Sequence, residues 1–262
     1  MQPPVFALYC KNVVDVQQYC ALGMQYLLIK NIHMMTENAV HNRCSTDEIQ
    51  TTGGARMIGI IDYDAGNIKS VEKALHYLGE ETVVSRDPQV LLNADKVILP
   101  GVGSFGDAMN NLNKFGLVPV IKEITDKGTP FLGICLGLQL LFESSDETPG
   151  VEGLGLLKGK IVKIPPAQGL KIPHMGWNSL HLQNDGRLFK GIPEETYVYF
   201  VHSYYLQAEE LEIVKATTQY GVTIHASVEK DNIFACQFHP EKSSSVGLKI
   251  LKNFASLQGG VK

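Results

Sequence analysis

The chain has 262 residues, 44% of them apolar, and a net charge of −4; that is core enough for one large domain or two small ones, and it excludes a surface built for nucleic acid or anionic membranes. No apolar run reaches the roughly 18 residues of a membrane span. Cys10, Cys20, Cys44, Cys135 and Cys236 have neither paired nor metal-type spacing, and an odd thiol count without a secretory signal points to a reducing, cytoplasmic location. No Cys or His cluster has metal-ligand spacing, so no metal is expected, and no cofactor is expected either.

Residues 1–56 read differently from the rest. They hold three of the five cysteines and four of the seven methionines, without sustained helical or strand period. Asp15 interrupts a signal-peptide pattern, and Arg43 and Arg56 with four acids do not make a transit peptide. An arm or partial helix packed on the body is one reading. The favoured one is an extension outside the domain, disordered or translated from upstream of the true start, because Met57 opens a self-sufficient strand.

From Met57 the order is regular. MIGIIDY is a short apolar, β-branched run. AGNIKSVEKALHYLG puts Ile68, Val71, Ala74, Leu75 and Leu78 on one helical face, with Gly79 as the stop. ETVVS, KVILPGVG and PFLGIC supply further strands, with helical segments over 104–127. This alternation predicts a parallel sheet covered on both faces. Beyond Glu143, GLLKGKIVKI, GWNSLHL, TYVYFVHSYY, EIVKATT, VTIHASVEK and NIFACQF read as short strands, closed by a helix in SSSVGLKILKNF. The fold class is α/β, a three-layer domain over 57–262 with an antiparallel addition to its mostly parallel sheet.

GICLG places Cys135 between Gly133 and Gly137, the pattern of a nucleophile elbow with cysteine in the serine position. The glycines let strand and helix cross closely, and a thiol at a helix start feels the positive end of the helix dipole. Leu136 N–H is then one oxyanion donor. A thiolate nucleophile needs a base, and the base needs an acceptor that fixes its tautomer. His239 and Glu241, separated by the stiff Pro240, supply both. Pro100-Gly101-Val102-Gly103 lacks the Lys-Ser/Thr of a phosphate loop, so its backbone is better used as a second oxyanion donor.

PGVGSF, GICLGLQLLFE, PHMGWN, YFVHSYY and QFHPEKSSSVGLKILKNF follow in this order from Pro100 to Phe254. Together they resemble the class I (triad) glutamine amidotransferases, and within them the glutaminase subunits of imidazole glycerol phosphate synthase, an enzyme of histidine biosynthesis. The resemblance runs from Met57 to the C-terminus, with no counterpart for residues 1–56; Asp64 stands where the family more often has glycine. It implies a flavodoxin-like domain with Cys135 as nucleophile, His239 as acid and base, Glu241 as orienter, and the Val102 and Leu136 amides as oxyanion hole, with Val102 turned away at rest. It also implies that Gly103, Gln139, Ser203 and Tyr204 grip glutamine. Asn67 and Trp177 would meet a cyclase subunit with a (β/α)8 barrel, which takes the ammonia in a heterodimer. The alternatives are the glutaminase of another biosynthetic amidotransferase, which PGVGSF and PHMGWN count against, and a catalytically silent regulatory module, which the complete Cys-His-Glu set counts against.

Overall fold

A computed structural model describes residues 57–183 and 186–258 of the chain; the expectation for residues 1–56 lies outside them. The chain begins with β1 (Met57–Ile61), α1 (Ile68–Tyr77), β2 (Glu81–Ser85), α2 (Pro88–Leu92) and β3 (Lys96–Leu99). Helices α3 (Phe105–Lys114) and α4 (Leu117–Asp126) precede β4 (Phe131–Ile134) and the one-turn α5 (Leu136–Leu140). Then come β5 (Ser144–Ser145), β6 (Gly159–Lys163), β7 (His174–Ser179), β8 (His181–Leu182), β9 (Tyr197–His202) and β10 (Tyr204–Ala208). β11 (Val214–Tyr220), β12 (Val222–Lys230), β13 (Ile233–Cys236) and α6 (Ser244–Ala255) complete the described part.

The main sheet has the order β2-β1-β3-β4-β13-β12-β11-β8. Its first five strands are parallel, and β12, β11 and β8 extend it antiparallel, as expected for the later strands. The parallel strands read as continuous apolar runs because both faces are covered. Alternate side chains serve two cores. Ile58 and Ile60 of β1 join Val71 and Leu75 of α1 and Ile250 and Phe254 of α6, while Val97 and Leu99 of β3 join Phe105 and Leu112 of α3 and Ile121 of α4. Burying each such side chain contributes about 1.5–3 kcal/mol.

Local signals set the helix ends. Gly79, at φ 78°, stops α1, and the Ser104 hydroxyl caps α3 by accepting from Asp107 N at 3.3 Å. Helix α2 was not foreseen. It is five residues long, too short for periodicity to reveal, and rests on the Asp87 cap, which accepts from Gln89 N at 2.8 Å, with Pro88 in its first turn. TYVYFVHSYY forms two strands rather than one. The chain turns at Ser203, so β9 pairs with β7 in one ribbon and β10 pairs with β6 in a second sheet. No helix among the described residues is long and apolar enough to cross a membrane.

Candidate active site

The C-terminal ends of β1, β3, β4 and β13 converge, where the strand order reverses direction and ligands of open α/β sheets bind. Cys135 follows β4 directly, with φ 55° and ψ −106°, a backbone that L residues avoid. Its amide is fixed to Cys236 O on β13 at 2.7 Å. The flanking glycines make this turn possible: a Cβ on Gly133 would lie 2.7 Å from Gly137 O, and one on Gly137 would strike Leu99 O. The thiol is free, nearly buried, and faces Val201 O at 3.9 Å and Gln237 Nε2 at 3.8 Å.

His239 and Glu241 lie in the turn after β13. Backbone bonds lock that turn to β9: His239 N donates to Tyr199 O at 2.9 Å, and Ser243 Oγ donates to His239 O at 2.6 Å. His239 Nδ1 meets Glu241 Oε1 at 2.8 Å, with both side chains shut off from solvent. Nδ1–H donates to the carboxylate in either protonation state, so Nε2 is the nitrogen that gains and loses a proton. Nε2 is buried and has no hydrogen-bond partner, although its charge couples to that of Cys135. Burial alone would lower the His239 pKa; the charges of Cys135 and Glu241, with the bond to Glu241, outweigh it and push the imidazole up to about 10. Burial likewise opposes ionisation of Glu241, but the bonds from His239 and Asn67 hold its carboxyl below the usual range.

A pKa raised from 6.5 to about 10 on folding stabilises the native state fully below pH 6.5, and that stability is lost as pH climbs through about 10. Melting temperature should fall across that window. In Cys135→Ala, which lacks the charge of the sulfur, the fall should be smaller and should end at lower pH. Identical pH profiles for the two proteins would contradict this coupling.

Asn67, expected at a partner contact, also reaches inward. From its left-handed position at φ 72° its Nδ2 donates to Glu241 Oε1 at 2.6 Å. The Pro100–Gly103 loop rests beside it. A Cβ on Gly66 would lie 2.7 Å from Val102 Cγ2, and Tyr63 Oη donates to Pro100 O at 2.9 Å. Leu136 N donates to Gly101 O at 3.3 Å. In a trans peptide C=O and N–H point oppositely, so the Val102 N–H is directed away from Leu136. The two expected oxyanion donors therefore do not converge in this state. Gly103, at φ 105°, sits in backbone territory that favours glycine.

Gln139 lies one helical turn from Cys135, and its Nε2 is bonded to Tyr204 O at 3.0 Å and Gln237 Oε1 at 3.1 Å. Ser203 O accepts from Ile164 N at 2.9 Å. Trp177 is 52% exposed on β7 and makes an edge contact with Tyr199 of β9 at 6.2 Å between ring centroids; Met175 and Tyr197 on the same ribbon are also exposed. Gln237 escaped sequence reasoning. The available signal was a polar residue inside the buried run before HPE. Among the described residues no cluster of His, Cys, Asp and Glu could hold a metal. A shallow concavity lined by His181, Gln183, Thr217 and His225 lies on the antiparallel extension and contains none of the site residues.

The sequence profile of the family Glutamine amidotransferase class-I matches residues 59–257. The chain is a class I glutamine amidotransferase. Its curated relatives in the family include the "Imidazole glycerol phosphate synthase subunit HisH" of Caldanaerobacter subterraneus subsp. tengcongensis. That relative is 53% identical over 201 residues, spanning 77% of this chain and 98% of the relative. The protein of the same name from Methanocaldococcus jannaschii is 49% identical, over 77% of this chain and the whole of the relative. Solved structures agree in fold. A crystal structure titled glutamine amidotransferase superposes with a TM-score of 0.59 at 20% identity, covering 76% of this chain and 98% of that one. A glutamine amidotransferase from Thermotoga maritima gives a TM-score of 0.53 at 16% identity, covering 78% and 84%. The amidotransferase fold with its added antiparallel strands is thus the one expected from the sequence.

Proposed function

We propose that this amidotransferase is the glutaminase subunit of an imidazole glycerol phosphate synthase, acting in the cytoplasm in histidine biosynthesis. The observation that carries the chemistry is the buried His239–Glu241 pair, with Nε2 unpartnered and coupled to the thiol on the elbow. Cys135 Sγ attacks the side-chain amide carbon of glutamine, and His239 Nε2–H delivers its proton to the departing nitrogen, releasing ammonia. Nε2 then takes a proton from water as the water attacks the thioester. Glutamate leaves and the thiolate is restored. Gly103, Gln139, Ser203 and Tyr204 hold the substrate.

The Leu136 N–H is occupied by Gly101 O, so the resting site lacks an assembled oxyanion hole. Rotation of the Gly101–Val102 peptide would exchange that carbonyl for the Val102 N–H. One such donor is worth about 10²–10³ in rate. The exposed Val102, the Asn67 loop and the Trp177 ribbon are the parts a partner would press. That partner is a cyclase subunit with a (β/α)8 barrel, which receives the ammonia through the contact. Replacing Trp177 by alanine is expected to weaken this heterodimer by about 2 kcal/mol, roughly 30-fold in Kd, as for a central aromatic anchor. Titration calorimetry with the cyclase subunit measures it, and an unchanged Kd places Trp177 outside the interface.

The deciding experiment is glutamate release by the purified chain, alone and with a cyclase subunit and its nucleotide ligand. Strong release only in the complex supports the reading. Full activity alone marks a free-standing glutaminase, and no activity in either marks a silent module.

A further inference from the structure

Gln237 is wholly buried, yet the hydrolysis just described gives it no part. Its side chain bridges two site residues: Oε1 accepts from Gln139 Nε2 at 3.1 Å, and Nε2 lies 3.8 Å from Cys135 Sγ. The two ends of a glutamine amide are interchangeable unless the surrounding network fixes them. Here it does. Gln139 Nε2 also donates to the Tyr204 carbonyl at 3.0 Å, and a carbonyl only accepts. The nitrogen end of Gln139 is thereby set, so Gln237 must present oxygen to it and turn its own N–H groups toward the sulfur.

The anchor of this arrangement is held from its other side. His202 Nδ1 donates to the same Tyr204 carbonyl at 2.8 Å, and His202 Nε2 accepts from His174 Nδ1 at 3.0 Å. Burial pushes His202 down to about 3 and His174 to about 4, so both rings are neutral and each bond has one direction. His174 is itself stacked between Phe200 and Tyr220, with ring centroids at 4.7 and 3.9 Å. A fixed line of donors and acceptors thus leads from the β7–β9 ribbon to the nucleophile.

An amide nitrogen has no lone pair to offer, so Gln237 cannot accept the thiol proton. It can only donate, and a charged acceptor makes that bond stronger and shorter. We propose that Gln237 is a further catalytic residue, whose side-chain amide donates to the Cys135 sulfur and favours its thiolate form. This rests on Cys135 being the glutaminase nucleophile. The titratable groups around the sulfur are His239 with Glu241 from the turn after β13, Tyr63 from beyond β1, and His202 of β9 beyond His239. Substitution of Gln237 leaves all of them in place.

The test is Gln237→Met, which keeps the length and removes the donor. Cys135 alkylation by iodoacetamide is followed against pH in the full-length chain, with peptide mass spectrometry separating this thiol from the other four. The pH midpoint is expected to move up by about one unit, roughly a tenfold loss of reactive thiolate below it. An unmoved midpoint in a folded variant overturns the proposal. Should the variant not fold, the Gln237 side-chain amide resonance of the 15N-labelled native protein decides. A signal that follows the Cys135 titration supports the bond, and a flat one overturns it. Labelling of native Cys135 by a glutamine-analogue chloroketone reads the underlying assignment separately. Failure there sinks the glutaminase reading, whereas normal labelling with an unmoved Gln237→Met midpoint sinks the role of Gln237 alone.

Discussion

Replacing Cys135 by alanine is expected to lower glutamate release by about 10⁴-fold or more while leaving the fold intact. The covalent route ends with the sulfur, and only substrate positioning and backbone donors remain to assist water. The fold should survive because alanine keeps the Cβ, and so keeps the same strained backbone at φ 55°. Besides the charge coupling to His239, what is lost are two long contacts of the sulfur, to Val201 O and to Gln237, together worth about 1 kcal/mol or less. Parallel measurement of glutamate release in the activated complex and of thermal melting settles both halves. Release within tenfold of the native rate would exclude Cys135 as nucleophile.

Glu241→Gln should be nearly as severe, lowering turnover by about 10³–10⁴-fold. Oε1 accepts two hydrogen bonds, from His239 Nδ1 at 2.8 Å and from Asn67 Nδ2 at 2.6 Å. A glutamine that keeps oxygen there satisfies both donors but removes the charge opposite the imidazole. It also places an NH2 group at the Oε2 position, which is buried and has no partner. The flipped amide sets a donor against two donors. In either orientation His239 loses the Glu241 charge, one of the two that raise its pKa, so that pKa falls from about 10 and burial weighs more heavily toward the neutral ring. The imidazole can no longer reliably carry the proton that the leaving nitrogen needs. Turnover, together with the His239 titration followed by NMR, reads the effect. A kcat within tenfold of native and an unmoved His239 would mean that Glu241 does not orient the base.

The parallel half of the sheet was legible because buried parallel strands are apolar throughout and glycine marks the helix stop at Gly79. The turn that carries the candidate nucleophile was legible because an elbow needs small neighbours: Gly133 and Gly137 surround Cys135 for reasons of backbone crossing alone. The division of TYVYFVHSYY at Ser203 was not, since both halves carry similar β-rich composition and only tertiary pairing sends them to different sheets. The inward reach of Asn67 was hidden as well. It depends on a left-handed backbone at φ 72° and a partner 174 residues away. Nor does composition give the direction of the Gly101–Val102 peptide, which is a rotation within one loop rather than a property of its residues.

The backbone at Cys135 has one more implication. Glycine would occupy φ 55° and ψ −106° with little penalty, whereas any side chain there costs about 1–3 kcal/mol. Cys135→Gly should therefore melt at a higher temperature than Cys135→Ala. A lineage released from the need to hydrolyse glutamine would gain stability by the same single step. With Cys135 as the proposed nucleophile, mutation toward greater stability and mutation toward inactivity coincide at one position, and demand for ammonia would be what keeps cysteine there.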